Sequence, residues 1–201
     1  MISDDLILVR KLEREDVDKM ELWGEHNDLN LQHYNFPSFT KWEKDMWFKI
    51  KAQKPLKSCY AIVTLEDNKL TGYISLRNYN IFSRSAELGI VMDPNHVNKG
   101  YGTRALELFT RYKLKQLVLK SLKLHVALYN TRALKCYKKV GFEIKHKVLR
   151  EFEDQSMGQV IKQKLIEDEQ DFILVGNKVY TQYYLMEIKK QSISTKTMDK
   201  C

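Results

Sequence analysis

No apolar run in the 201-residue chain approaches the roughly 18–20 residues that a membrane-spanning helix needs. The opening MISDDLILVRKLERED also lacks the shape of a secretion signal. Cysteine is scarce. Cys59, Cys136 and Cys201 are odd in number and share no C-x-x-C spacing, so neither a disulfide framework nor a zinc site is expected. The five histidines are scattered without metal-ligand spacing, and no metal is expected. These absences set the expectation of a soluble protein in a reducing, cytoplasmic compartment. Only three prolines occur, with 43% hydrophobic and 30% charged residues, and there is no internal repeat or low-complexity stretch. That composition is globular.

What is present is charge, unevenly spread. The net charge is +8. Residues 1–100 hold 14 Lys and Arg against 15 Asp and Glu, whereas residues 101–201 hold 20 against 11. A basic second half suits a nucleic-acid surface, a pocket for a polyanion, or simply a solvated face. Nucleic acid ranks last, because few basic clusters are interleaved with aromatics. The length predicts one domain over residues 1–190 and a polar tail over 191–201.

Along the chain, Leu6 to Val9 reads as a strand, followed by an acidic helix entry and Val17, Met20, Leu22 and Trp23 at roughly helical spacing. Residues 24–40 read as a loop. Thr40-x-x-Glu43 forms a capping box for a second helix carrying Trp42, Met46, Trp47 and Ile50, which Pro55 ends. The period then changes. Tyr60–Leu65, Leu70–Leu76 and Ser85–Met92 predict three strands of a meander. Ala105, Leu108, Phe109, Tyr112 and Leu117 make a helical stripe, Leu122–Leu128 alternates as a strand, and Thr131–Val140 is a helix closed by Gly141. Strands from Phe142 and over Val179–Ile188 complete the set. Between them lies a long connection, residues 154–177, in which Met157–Phe172 suits an extra helix.

Two segments carry the chemistry. Asn98-Lys99-Gly100-Tyr101-Gly102-Thr103 opens the long helix. A glycine-rich turn at a helix start offers free backbone N–H groups and the positive end of the helix dipole, which suits a pyrophosphate. The string also satisfies a loose G-x-G-x-x-A dinucleotide pattern, but the next strand ends in Tyr129-Asn130, where that pattern wants an acidic residue. The second segment is Asn130-x-x-Ala133-x-x-x-Tyr137-x-x-x-Gly141-Phe142. A helix that begins with Asn and carries a Tyr two turns on can hold the same ligand and supply an acid. Together the two point to a coenzyme A site.

This element order, with these motifs in these places, resembles the GNAT superfamily of N-acetyltransferases. The opening Leu8-x-Arg10-x-Leu12-Glu13-Arg14-Glu15-Asp16 resembles the branch holding ribosomal-protein N-terminal and spermidine acetyltransferases. The likeness covers about residues 6–150 and resumes near 178. One departure stands in the first motif: Val97 occupies the place of a usual Gln or Arg, and Asn98 that of a common Gly. Much of that grip is made by backbone N–H groups, and Asn tolerates positive φ better than most residues. The resemblance implies a mixed α/β fold, a largely antiparallel sheet of six to seven strands with about four helices, plus a helical insertion before the last strand. It implies acetyl-CoA as co-substrate and direct transfer of the acetyl group to a primary amine. The strand holding Ile90, Val91 and Met92 should splay from its neighbour and pair with the pantetheine arm. Val97, Asn98, Lys99, Gly100, Tyr101, Gly102 and Thr103 should hold the pyrophosphate, and Asn130 and Ala133 the pantetheine.

Each candidate has a plain structural reading beside the functional one. Tyr137 is either a core aromatic beside Ala133 and Leu134, or, as the resemblance implies, the acid that protonates the departing thiolate. A phenol stays protonated at neutral pH, which suits that task. Glu87 is either a solvated carboxylate paired with Arg84, or the general base that takes a proton from the acceptor ammonium. Ala86, Leu88 and Ile90 would raise its pKa by desolvation. Glu43 and His33 are weaker rivals for that role. Cys136 lies beside Tyr137, but no His is placed to activate it, so covalent transfer is not expected.

The acceptor pocket is expected from the first two helices, their loop and the 154–177 connection. Glu25, His26, Asp28, His33 and Tyr34, with Trp42 and Trp47, would give an acidic, aromatic lining suited to a cationic amine. A polyamine, an aminoglycoside and a protein N-terminus fit that lining equally, and a homodimer is open. The alternative to an enzyme is a module that keeps the fold and senses acyl-CoA without turnover.

Overall fold

Apolar residues alternate along the central strands, so the sheet has two faces to cover, and helices cover both. The computed structural model describes residues 1–116, 119–152, 155 and 172–190. The first half runs β1 (Ile2–Ser3), β2 (Ile7–Lys11), α1 (Arg14–Lys19), α2 (Lys41–Phe48), β3 (Ser58–Thr64), β4 (Leu70–Asn80) and β5 (Ser85–Met92). Then follow α3 (Tyr101–Lys115), β6 (Ser121–Ala127), α4 (Thr131–Val140), β7 (Glu143–Glu151), β8 (Phe172–Val175) and β9 (Lys178–Lys189).

The strands form one sheet in the order β1-β2-β3-β4-β5-β6-β9-β7, with β8 also on β9. Every neighbouring pair is antiparallel except β5 and β6. Ile62 and Ile74 belong to the core under α3 and α4, with Leu106, Phe109 and Tyr137. Their neighbours Ala61, Val63 and Tyr73 belong to the opposite core, with Val17 and Met20 and with Trp23 and Trp47 packed against it. The mixed fold, the largely antiparallel sheet and the four α-helices match the expectation.

Local signals act as the sequence suggests. Glu43 Oε2 accepts from the Thr40 N–H at 2.8 Å, while the Thr40 hydroxyl accepts from the Glu43 N–H at 3.3 Å, closing the capping box of α2. Gly141 ends α4 at φ 112. Other details differ. The sheet has nine strands among the described residues rather than six to seven, because β1 and β8 add to it. Residues 172–175, expected within the connection, pair with β9 across a turn in which Gly176 takes φ 60. The loop at 24–40 contains a 3₁₀ turn, Leu29–Tyr34, capped by the Asp28 carboxylate on the Asn30 N–H at 2.9 Å. A π-turn over Lys49–Gln53 extends α2. The helix expected over Met157–Phe172 (apart from Phe172 itself), Leu117 of the α3 stripe and the 191–201 tail lie outside the described residues. Among the described residues, no helix is long and apolar enough to cross a membrane.

Candidate active site

The parallel strands β5 and β6 pair only at Ser85–Ser121, Ala86–Leu122 and Glu87–Lys123. Beyond Glu87 the two strands lose this pairing, which frees the backbone of Leu88–Met92 on that side. A cavity of about 400 Å³ lies against the gap. Ile90, Val91 and Met92 of β5, His125 and Val126 of β6, the turn before α3, and the inner side of α4 line it.

That turn holds two residues with left-handed backbone. Asn98 takes φ 63 and Gly100 φ 84, both in the left-handed region. Gly100 caps α3, and its carbonyl accepts from the Arg104 N–H at 3.1 Å. A Cβ on Gly100 would meet no atom within 4 Å, so the backbone angle and not space calls for glycine there. Val97, Asn98, Gly100, Gly102 and Thr103 line the cavity. Lys99 and Tyr101 do not; Tyr101 packs instead on the core.

Across the cavity, α4 starts at Asn130, whose Oδ1 accepts from the Ala133 N–H at 3.1 Å. Asn130, Ala133, Cys136 and Tyr137 share the lining. Tyr137 is 8% exposed, and its ring meets Phe142 edge-on at 6.0 Å. Burial pushes its phenol above the ordinary range, so it holds its proton at neutral pH. Cys136 Sγ lies 3.1 Å from the Thr103 hydroxyl, and burial pushes its thiol up as well, away from the nucleophilic thiolate.

A second cavity, about 280 Å³, shares Tyr34, Ile90, Val91, His125 and Tyr137 with the first. The two therefore meet at the β5–β6 gap. Glu87 lines the second and is held from several sides. Its Oε1 accepts from Arg77 Nη2 at 2.8 Å and lies 3.3 Å from His125 Nδ1; its Oε2 accepts from Asn78 Nδ2 at 2.8 Å. The His125 hydrogen bond first, then Arg77 and Asn78, hold its carboxyl well below the ordinary glutamate range despite burial. The desolvation expected from Ala86, Leu88 and Ile90 is thus outweighed by hydrogen bonds and charge.

His125, which the sequence does not single out, joins the lining of both cavities through strand register. The parallel register sets Glu87 beside Lys123, so residue 125, two further on, shares that face of the sheet. Nothing in the sequence alone gives that register.

Of the other candidates, Glu43 lines neither cavity and closes the capping box that Thr40 opens on α2. His33 lines the second cavity and stacks near Tyr34 at 3.9 Å and Phe152 at 4.9 Å. Trp47 lines it too, while Trp42 is exposed. Glu25 and Asp28, expected to make the acceptor pocket acidic, line neither cavity, and His26 lines the first. Asp28 spends its carboxylate on the 3₁₀ turn instead.

A family model described as an acetyltransferase (GNAT) domain matches residues 7–143. The chain belongs to the GNAT acetyltransferase family. Spermidine N(1)-acetyltransferase of Escherichia coli K12 is 34% identical over 86 residues, which are 43% of this chain and 46% of that protein. This GNAT chain thus matches about half the length of that relative. Acetyltransferase PseH of Campylobacter jejuni is 26% identical over 134 residues, 67% of this chain and 81% of that one. Among solved structures, the Vibrio cholerae spermidine N-acetyltransferase in complex with CoA and spermine superposes with a TM-score of 0.69 at 20% identity, covering 94% of this chain and 98% of that chain. At that identity the likeness is one of fold.

Proposed function

We propose that this chain is an acetyl-CoA-dependent N-acetyltransferase that moves the acetyl group directly to a primary amine. The observation that carries this reading is the meeting of two cavities at the β5–β6 gap, with Tyr137 and His125 lining both. The first cavity takes coenzyme A. Its pyrophosphate lies on the N–H groups of the turn from Val97 to Thr103, and its pantetheine pairs with Ile90, Val91 and Met92. Asn130 and Ala133 face the same arm.

The acceptor enters the second cavity as an ammonium. Free alkylamines are protonated near neutral pH, so a proton must leave before nitrogen attacks the thioester carbonyl. Glu87 stays anionic, which suits it to attract the ammonium and to orient His125 more than to take the proton itself. In the His125 tautomer that donates Nδ1–H to Glu87, Nε2 carries the ring's free lone pair, and in this reading it is the base. The neutral amine attacks the thioester carbonyl, and its nitrogen becomes cationic in the tetrahedral adduct. As the adduct collapses the C–S bond breaks, Tyr137 gives its proton to the departing thiolate, and the extra proton on the new amide nitrogen returns to the Tyr137 phenolate. Cys136 takes no part.

The test is coenzyme A release from acetyl-CoA, followed with a thiol reagent across a panel of primary amines. Spermidine, which names one of the relatives, belongs on that panel. Amine-dependent release supports the transferase. Tight acetyl-CoA binding with no release for any amine supports the sensor reading instead.

A further inference from the structure

Among the described residues, the lining of the proposed acceptor cavity is not the acidic one that a polycation needs. Its described lining holds three cationic side chains, Lys51, Arg77 and Arg150, against two carboxylates, Glu87 and Glu151. Both carboxylates already have cationic partners. Arg77 Nη2 donates to Glu87 at 2.8 Å, and Lys178 Nζ, from the start of β9, donates to Glu151 at 2.9 Å. Arg150 Nη1 stands 4.0 Å from Glu87 Oε1, and its guanidinium lies 6.0 Å from the Tyr183 ring centroid. A cation and an anion thus sit side by side on the cavity wall, next to His125 and Tyr137.

Resting on the transferase reading, we propose that the acceptor is a zwitterion: a primary amine carrying a carboxylate or phosphate a few bonds away. Its ammonium meets Glu87 and its anion meets Arg150, the reverse of the order on the wall. Each charge of the acceptor then faces an opposite one. A polyamine would set a second ammonium against Arg150, and like charges so placed cost affinity. A guanidinium binds a carboxylate or a phosphate through parallel N–H donors, so Arg150 serves both anion types. The nearby Tyr183 ring steadies its orientation.

Two pairs of amines that differ only in the anion test this with the full-length protein: ethanolamine against O-phosphoethanolamine, and propylamine against β-alanine. Spermidine is the polycationic control. The expected result is a kcat/KM for at least one anionic member about tenfold or more above its neutral twin and above spermidine. Which pair responds distinguishes phosphate from carboxylate. The preference should shrink with added salt. It should fall toward unity in Arg150→Gln and return in part in Arg150→Lys, with acetyl-CoA affinity and Tm followed in each variant. Equal or better use of the neutral twins or spermidine overturns the zwitterion proposal and leaves the transferase reading intact. Preference unchanged in a folded, acetyl-CoA-binding Arg150→Gln overturns the assignment of Arg150. No release with any amine overturns the transferase reading and this proposal with it.

Discussion

His125 Nδ1 and Glu87 Oε1 lie 3.3 Å apart across two parallel strands that have stopped pairing. The contact sits just beyond the last register pair, Glu87–Lys123, at the mouth of the gap. It therefore couples the point where the sheet opens to the point where chemistry is proposed. Replacing Glu87 with Gln should leave His125 without an anionic partner and lower kcat by about 10–100-fold, the range for partners that orient a reacting imidazole. Acetyl-CoA affinity, measured by titration calorimetry, should change little.

The same residue carries a stability prediction with a definite sign. Folding holds the Glu87 carboxyl below a glutamate's ordinary 4.5. Its contribution to stability is therefore complete above that value and is lost as the pH falls below it. Thermal melts from about pH 6 down to about pH 3 should show a shallower loss of Tm in Glu87→Gln than in the wild type.

Tyr137→Phe removes the proton donor while keeping the ring that packs on Phe142. General acid catalysis contributes on the order of 100-fold or more, so kcat should fall by about that factor with acetyl-CoA affinity nearly unchanged. Steady-state rates at saturating acetyl-CoA check it. Full activity would remove Tyr137 from the acid role.

Gly100→Ala forces a Cβ onto a backbone at φ 84. The expected penalty is about 1–2 kcal/mol, paid by the fold or by the pyrophosphate turn, and either shows as lower Tm or weaker acetyl-CoA binding. Gly102→Ala is the contrast. Its Cβ would meet Met92 Cγ at 3.4 Å and Sδ at 3.5 Å, ordinary contacts, so Tm should stay close to wild type.

Asp16 is 1% exposed and binds Arg10 through both carboxylate oxygens, at 2.6 and 2.7 Å, while also accepting from the Glu13 N–H. Burial pushes its carboxyl up, and the hydrogen bonds from Arg10 and Glu13 more than offset this, so the net shift is downward. Asp16→Ala removes the two short carboxylate contacts of Arg10, leaving it the 3.8 Å contact with Glu13 Oε2, and should lower unfolding free energy by about 3 kcal/mol. Urea denaturation should show this as a lower midpoint at unchanged slope.

Helix boundaries and the two motifs were legible because they are local. Thr40 and Glu43 are three residues apart, Gly100 and Gly102 two, and Asn130 caps its own helix. The left-handed angle of Asn98, too, follows from its residue type and place in the turn. What the sequence hid is set by pairing between distant segments. The Glu87–His125 contact spans 38 residues and exists only because of the β5–β6 register. The depressed carboxyl of Glu87 depends on His125 first and then on Arg77 and Asn78, all from neighbouring strands, whereas neighbours along its own strand suggested the opposite shift. The acidic acceptor lining fails for a local reason instead: the Asp28 carboxylate accepts from the Asn30 N–H two residues on, and neither it nor Glu25 lines a cavity. β8 escaped notice because four residues, Phe172–Val175, carry too short a pattern to separate strand from the end of a helix.

The most direct test of the central claim is amide formation itself. Wild type, His125→Gln and Tyr137→Phe should be run side by side with saturating acetyl-CoA and a primary amine, and the acetylated amine quantified by mass spectrometry. The account predicts acetylated amine in step with released coenzyme A in the wild type, and a rate lower by about 100-fold or more in each variant. No acetylated amine from any acceptor, or rates in both variants equal to wild type, would contradict it.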